Sequence, residues 1–200
     1  MAGLNYKLVV GVLIVCIPVG LIGMTLIIQD KIPFIHAYQL GRIMAWLYPD
    51  DYPDLAYQQQ NSIMAIGSGL LWGKGLGNTD PTSVKNGKFI LEPQNDFIFS
   101  ILCEELGFIG AVLVVALFLL LLLRGMSIAV RARDKFGALL VVGFVVQVTL
   151  QAILNMAVVT NTIPNTGISL PFFSSGGTSL LMLLGEMGIV LSVSRQTDMV

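Results

Sequence analysis

One carboxylate in this sequence stands where it could do chemistry at a membrane surface. Asp96 directly precedes a long apolar run that begins at Phe97. A carboxylate in such a place can accept a proton from a hydroxyl nucleophile as a general base. A lone aspartate at the start of a helix is, however, more often an N-cap. On position alone, the N-cap is the better interpretation and catalysis is the alternative.

An acidic cluster further upstream resembles a metal–diphosphate motif only in its spelling. Residues 50–54 read Asp-Asp-Tyr-Pro-Asp, which matches the D-D-x-x-D pattern of magnesium diphosphate sites. That chemistry needs the acids on one helical face, and Pro53 argues against a helix there. We therefore expect a solvated turn. His36 is the sole histidine, which argues against a histidine metal site or a Ser-His triad.

A glycine-rich segment fails as a nucleotide-binding loop. Residues 73–77 read Gly-Lys-Gly-Leu-Gly. The Walker pattern needs Gly and Ser or Thr at places that are held here by Ser68 and Gly75. We interpret the segment as a turn, with contact between Lys74 and an anionic headgroup as the functional alternative.

Three acidic side chains lie inside apolar runs: Glu104, Glu105 and Glu186. Charged groups inside membrane spans are costly and usually face a cavity or a partner. Each of the three is therefore either a functional residue or one that pairs with a neighbour. Glu104 and Glu105 could also lie at shallow depth, near the membrane interface.

Three amide side chains recur every four residues: Gln147, Gln151 and Asn155. That spacing puts them on one face of a helix. Hydrogen bonding between helices is the preferred interpretation, and lining a polar cavity is the alternative. We predict that this face and the two outer connections described below share a cavity open to the outer leaflet.

The composition requires a membrane protein. Hydrophobic residues make up 55% of the 200 residues, charged residues only 12%, and the mean hydropathy is +0.82. A soluble domain has about 25% charged residues. Cys16 and Cys103 lie in apolar runs and imply no disulfide framework, and a net charge of -1 gives no support to nucleic-acid binding.

The apolar runs predict an all-α integral membrane protein with four spans of about 20 residues each. These are residues 8–28, 97–123, 136–158 and 178–194. Basic residues in the connection 124–135 predict that it is cytoplasmic, since short cytoplasmic loops are rich in Lys and Arg. Both termini of this chain would then be cytoplasmic, and residues 29–96 and 159–177 would be extracellular.

The large extracellular loop does not look disordered. Residues 35–47 and 55–66 mix apolar and polar residues at near-helical spacing. We predict short amphipathic helices there, lying on the outer membrane surface. The second outer connection, 159–177, is rich in Pro, Gly, Asn and Ser, so we expect it to be irregular and packed against the first.

Several segments, in order along nearly the whole chain, resemble the SEDS family of shape, elongation, division and sporulation proteins. They are Tyr38-Gln39 with Arg42, Gly73-Lys74-Gly75-Leu76-Gly77, residues 91–99 (LEPQNDFIF), residues 104–110 (EELGFIG) and residues 164–179 (PNTGISLPFFSSGGTS). This chain resembles only the C-terminal half of a family fold with about ten spans. Gln94 and Asn95 stand where the family commonly has His and Thr, and Ser175 stands where it commonly has Tyr.

The resemblance implies a peptidoglycan glycosyltransferase that polymerises lipid II outside the bacterial cytoplasmic membrane. Its expected partners are lipid II, a class B penicillin-binding protein and, if the chain is a fragment, the absent N-terminal spans. Asp96 would be catalytic, and a divalent cation or a basic residue would offset the diphosphate charge. The residues expected to bind substrate are Arg42, Lys74, Glu92, Glu105, Ser174 and Ser175.

Two other functions stay open at this point. A lipid II flippase would need a polar path through the membrane, for which Glu186 and the amide face are the only hints. A truncated chain could also be a non-catalytic scaffold for a penicillin-binding protein. The sequence leaves open whether the process served is division, sporulation or elongation.

Overall fold

A computed structural model describes residues 14, 15, 18, 37–79, 81, 83–87, 89–90 and 94–197. Every regular element within these ranges is a helix. The chain forms two compact units, Met1–Ala56 and Tyr57–Val200. Most of the predicted first span, 8–28, lies outside the described residues, and so does Glu92.

The described part of the first unit holds one helix, a turn and the start of a second helix. Helix α1 is Ala37–Leu47, and α2 is Pro53–Ser68. The residues between them form a turn in which the Asp51 N–H donates to the Tyr48 carbonyl at 3.2 Å. Proline is favoured as the first residue of a helix because its missing N–H would have no partner there. The turn covers residues 49–51, so it is shorter than the predicted 50–54, because Pro53 and Asp54 already begin α2. The helices α1 and α2 lie close to the predicted segments 35–47 and 55–66, and their position on an outer membrane surface stays a prediction.

The part of α2 in the second unit buries three polar side chains, Gln59, Asn61 and Ser62, beside the apolar Ala65. Gln59 donates to the carbonyls of Val158 (2.9 Å) and Ile163 (2.8 Å), and Ser62 donates to the Val159 carbonyl at 2.9 Å. The last four carbonyls of a helix have no partner within that helix. Gln59 and Ser62 of α2 supply such donors to the last two residues of the helix Lys135–Val159.

In the described part of the second unit, three helices are long and apolar enough to cross a membrane. They are α3 (Ile98–Arg131), α4 (Lys135–Val159) and α5 (Gly177–Thr197). α3 and α4 pack along each other, and α5 contacts both. Three of the four predicted spans therefore correspond to helices, with ends within a few residues of those expected except at the end of α3.

The predicted connection at 124–135 is mostly helical, because α3 continues to Arg131 and only 132–134 join it to α4. The extended part of α3 packs closely against α4. A Cβ added at Gly125 would lie 2.4 Å from a methyl carbon of Val145, so glycine lets the two helices approach closely there. Asp134 then caps α4 by accepting a hydrogen bond from the Gly137 N–H at 2.8 Å.

Candidate active site

Asp96 lies just before α3 but does not cap it. The N-cap residue is Phe97, which makes no side-chain cap hydrogen bond, and its ring is only 3% exposed in the core. The Asp96 side chain is half-buried, and its carboxylate has no hydrogen-bond or ionic partner among the residues that the structure describes. The N-cap interpretation of Asp96 is therefore wrong.

The backbone before Asp96 is bound by the second outer connection. The Ser175 N–H donates to the Gln94 carbonyl at 3.1 Å, and the Ser174 hydroxyl donates to the Asn95 carbonyl at 2.6 Å. The Ser175 hydroxyl also donates to the side-chain oxygen of Asn95 at 2.5 Å. The two serines predicted as site residues thus lie beside the Asp96 segment, although the sequence places them about eighty positions away.

An amide from α4 completes this attachment. Asn155 donates from Nδ2 to the carbonyls of Asp96 and Ile168, both at 2.7 Å. The carbonyls of residues 94, 95 and 96 therefore each accept one hydrogen bond, from three different donors. The segment that carries the Asp96 carboxylate is held by α4 and the second outer connection together.

The glycine-rich turn docks into a break in α3. Gly107 has φ 66° and ψ −163°, a conformation essentially confined to glycine, and it divides α3 into two helical parts. A Cβ at Gly107 would lie 2.4 Å from the Gly73 nitrogen, and a Cβ at Gly73 would lie 2.1 Å from the Glu105 carbonyl oxygen. Both positions need glycine because two backbones are in contact.

The break exposes backbone groups, and the turn pairs with them. On one side, the N–H groups of Lys74 and Gly75 donate to the carbonyls of Glu104 and Glu105, both at 2.9 Å. On the other side, two N–H groups of α3 donate to carbonyls of the turn, from Phe108 to Leu70 at 2.8 Å and from Ile109 to Leu71 at 3.3 Å. These four backbone hydrogen bonds hold residues 70–75 against α3, as hydrogen bonds between neighbouring β-strands hold the strands together.

Lys74 and Glu104 form an ion pair inside this junction. The Lys74 Nζ lies 2.6 Å from Oε1 of Glu104, whose side chain is 1% exposed. The Glu104 carboxylate also accepts from the N–H groups of Val84 (2.9 Å) and Lys85 (3.3 Å). A buried carboxylate needs such partners because it has lost its water. The positive charge of Lys74 is thus offset within the protein.

The remaining predicted site residues lie in separate surroundings. Glu105 is half-buried and forms an ion pair with Lys85. Arg42 lies on α1, in the other compact unit. Lys85 was not among the predicted site residues. Two adjacent glutamates at the start of an apolar run indicate that a second cation lies close to them, which could have pointed to Lys85.

A cavity of about 560 Å³ opens beside α4, lined by Gln147, Leu150, Gln151, Leu154, Gly167, Ile168 and Ser169. Of the three predicted amides, Gln147 and Gln151 line it, and Gln151 also donates to the Ser169 carbonyl at 3.1 Å. Asn155 is instead fully buried. The second outer connection borders the cavity as predicted, and none of the described residues of the first connection lines it. The opening of the cavity to the outer leaflet stays a prediction.

Gln147 also approaches the acid of the last helix. Its Nε2 lies 3.5 Å from Oε1 of Glu186, which agrees with pairing to a neighbour. Among the described residues, no group of three or more His, Cys, Asp or Glu side chains is arranged to hold a metal ion.

Comparisons with known proteins find several relatives of this chain. Stage V sporulation protein E of Bacillus subtilis (strain 168) is 45% identical over 159 residues, which is 79% of this chain and 42% of that protein. The probable peptidoglycan glycosyltransferase FtsW of Geobacter sp. (strain M18) is 43% identical over 165 residues, covering 82% of this chain and 44% of the relative. Peptidoglycan glycosyltransferase MrdB of Escherichia coli (strain K12) is 36% identical with the same coverage.

A solved structure has the same fold. One chain of a peptidoglycan synthase complex, described in terms of the structural coordination of polymerization and crosslinking, matches with a TM-score of 0.63 and 29% identity. The match covers 90% of this chain and 49% of that one. The chain thus spans about half the length of the relatives it matches. The family model of cell cycle proteins named for FtsW, RodA and SpoVE matches residues 1–199, and this chain belongs to that family.

Proposed function

We propose that the protein containing this chain polymerises peptidoglycan from lipid II at the outer face of the bacterial cytoplasmic membrane. The observation that carries this proposal is the Asp96 carboxylate. It has no partner among the described residues, while the backbone carbonyls of residues 94, 95 and 96 each accept a hydrogen bond. The names of the relatives support the same reaction, since two of those compared are peptidoglycan glycosyltransferases.

In the proposed reaction, Asp96 is the general base. It takes the proton from the sugar hydroxyl of one substrate while the hydroxyl oxygen attacks the anomeric carbon of another. The bond between that carbon and the lipid diphosphate breaks, and the diphosphate leaves with the bonding electrons. A new glycosidic bond is formed, and no oxidant or reductant is needed.

The leaving diphosphate carries negative charge that needs a counterpart. Arg42 and Lys74 are candidates for this cation on the sequence resemblance alone, and the charge of Lys74 is offset by Glu104. Ser174 and Ser175 border the same segment as Asp96. A divalent cation fits this chain when the substrate phosphates provide most of its ligands, because Mg²⁺ is commonly held by one or two carboxylates and phosphate oxygens.

The proposed setting is a multi-pass protein of the cytoplasmic membrane with α3, α4 and α5 as three spans and residues 8–28 as a fourth. The connection 132–134 would then face the cytoplasm. The expected partners are a class B penicillin-binding protein and the spans that correspond to the other half of the relatives. The solved peptidoglycan synthase complex supports a partnership of this kind.

The experiment that tests the function uses the complete membrane protein containing this chain, reconstituted in vesicles with its penicillin-binding partner. Lipid II is supplied in one leaflet, and both glycan chains and movement of lipid II between leaflets are measured. We expect glycan chains. Movement of lipid II without chains would favour a flippase, and partner binding with neither activity would favour a scaffold.

A further inference from the structure

Asn155 is the most completely buried polar side chain in contact with the Asp96 segment. It is 0% exposed and lies on α4, one turn beyond Gln151. A side-chain amide has two N–H donors, and both are used here. One binds the Asp96 carbonyl and the other binds the Ile168 carbonyl, each at 2.7 Å.

The acceptor end of the same amide is unused. Oδ1 of Asn155 is buried and has no hydrogen-bond partner among the described residues. An unpaired buried acceptor costs free energy, so this amide is poorly suited to simple cohesion between helices. This side chain provides a pair of donors that bind two segments far apart in sequence, at Asp96 and at Ile168.

Those two segments are the two halves of the proposed active site. Ile168 begins the part of the second outer connection that leads to Ser174 and Ser175, and these serines bind the residues before Asp96. Asn155 thus closes a ring from α4 to Asp96, through residues 94–95, to the serines and back to Ile168. A shift of the Asp96 backbone would move its carboxylate by a similar amount.

We infer that Asn155 is a positioning residue, which holds the Asp96 carboxylate in the orientation needed for proton abstraction. This inference rests on the proposed function. Asn155 does not touch the reacting atoms and acts through the Asp96 backbone. A displacement of about 1 Å can cost on the order of 100-fold in rate, so a lost backbone hydrogen bond next to the base should affect turnover.

The test compares Asn155→Leu with Thr149→Val in the complete protein with its partner and lipid II. Both changes replace a buried polar side chain of α4 by an apolar group of similar size. The control removes only the hydroxyl bond to the Val145 carbonyl within α4. We expect Asn155→Leu to lower kcat about 10- to 100-fold and to leave KM for lipid II within about threefold. The control should keep kcat within about threefold.

A second pair of proteins separates positioning from a general structural role. If Asn155 acts through the base, Asn155→Leu should cause no further loss of rate when it is added to Asp96→Asn, because the group that it positions is already gone. Should Asn155→Leu fail to fold, Asn155→Asp takes its place. A neutral carboxyl keeps one of the two donors, so kcat should fall by less than the 10- to 100-fold loss expected for Asn155→Leu.

Each alternative outcome is distinct. A folded Asn155 variant with wild-type kcat would overturn the inference, while an inactive Asp96→Asn protein would still support the proposed function. If Asn155→Leu lowers kcat by the same factor in the Asp96→Asn protein as in the wild-type protein, Asn155 acts on the whole fold. Wild-type polymerisation by Asp96→Asn would overturn both the inference and the catalytic role of Asp96.

Discussion

At the scale of single residues, two acids near the start of α3 have opposite surroundings. The Asp96 carboxylate has no partner among the described residues, whereas Glu104 is 1% exposed and binds Lys74 and two backbone N–H groups. The sequence identified both acids as candidate functional residues. Their roles differ because of residues 20 to 80 positions away, which spacing along one helix cannot reveal.

The ion pairs of these neighbouring glutamates predict different effects on stability. Lys74→Ala leaves the buried Glu104 without its cation, and breaking a buried pair costs about 3 kcal/mol. Lys85→Ala breaks a pair whose lysine side chain is 41% exposed, which costs at most about 1 kcal/mol. The measurement is the free energy of unfolding in mild detergent. Equal losses for the two variants would contradict the structural role given to Lys74.

At the scale of elements, the apolar runs of the sequence predict the long helices of the second unit, but they do not predict the contacts between these helices. The runs at 136–158 and 178–194 predicted α4 and α5 to within a few residues. The break in α3 was not predicted, because an isolated glycine in an apolar run is usually tolerated within a helix. Gly107 becomes a break only because the turn at Gly73 fills it.

This pairing predicts opposite effects for two glycines in membrane helices. Gly107→Ala should destabilise, by about 1–3 kcal/mol from backbone strain alone, with the contact against Gly73 in addition. Gly143→Ala is the matched control, since a Cβ there meets nothing within 4 Å. Alanine should stabilise that helical position by about 0.5–1 kcal/mol. Thermal unfolding checks both changes, and a Gly107→Ala protein that melts at the wild-type temperature would refute the account of the junction.

At the scale of the whole molecule, the proposed reaction requires the Asp96 end of α3 and the 132–134 end to lie on opposite sides of the membrane. The part of α3 after the break, residues 108–131, has 24 residues, or about 36 Å at 1.5 Å per residue, against about 30 Å for the hydrocarbon core. The length therefore permits one complete crossing. Basic residues close to the short connection indicate the cytoplasmic side.

Cysteine labelling in intact cells measures this orientation. In a background without Cys16 and Cys103, Ala132→Cys should resist a membrane-impermeant maleimide until the cells are opened. Thr166→Cys, in the second outer connection, is the control and should react from outside. Labelling of the cysteine at position 132 in intact cells would show that the proposed orientation is reversed.

The most direct measurement compares Asp96→Asn with Asp134→Asn in the complete protein, assayed with its partner and lipid II at equal folded concentration. Both changes remove one carboxylate charge at the start of a membrane helix, but Asp134 is an N-cap, and asparagine caps equally well. We expect Asp96→Asn to lower the rate of glycan polymerisation about 10²- to 10⁴-fold, as loss of a general base does. Asp134→Asn should keep nearly the full rate. Wild-type polymerisation by the Asp96→Asn protein would contradict the catalytic assignment.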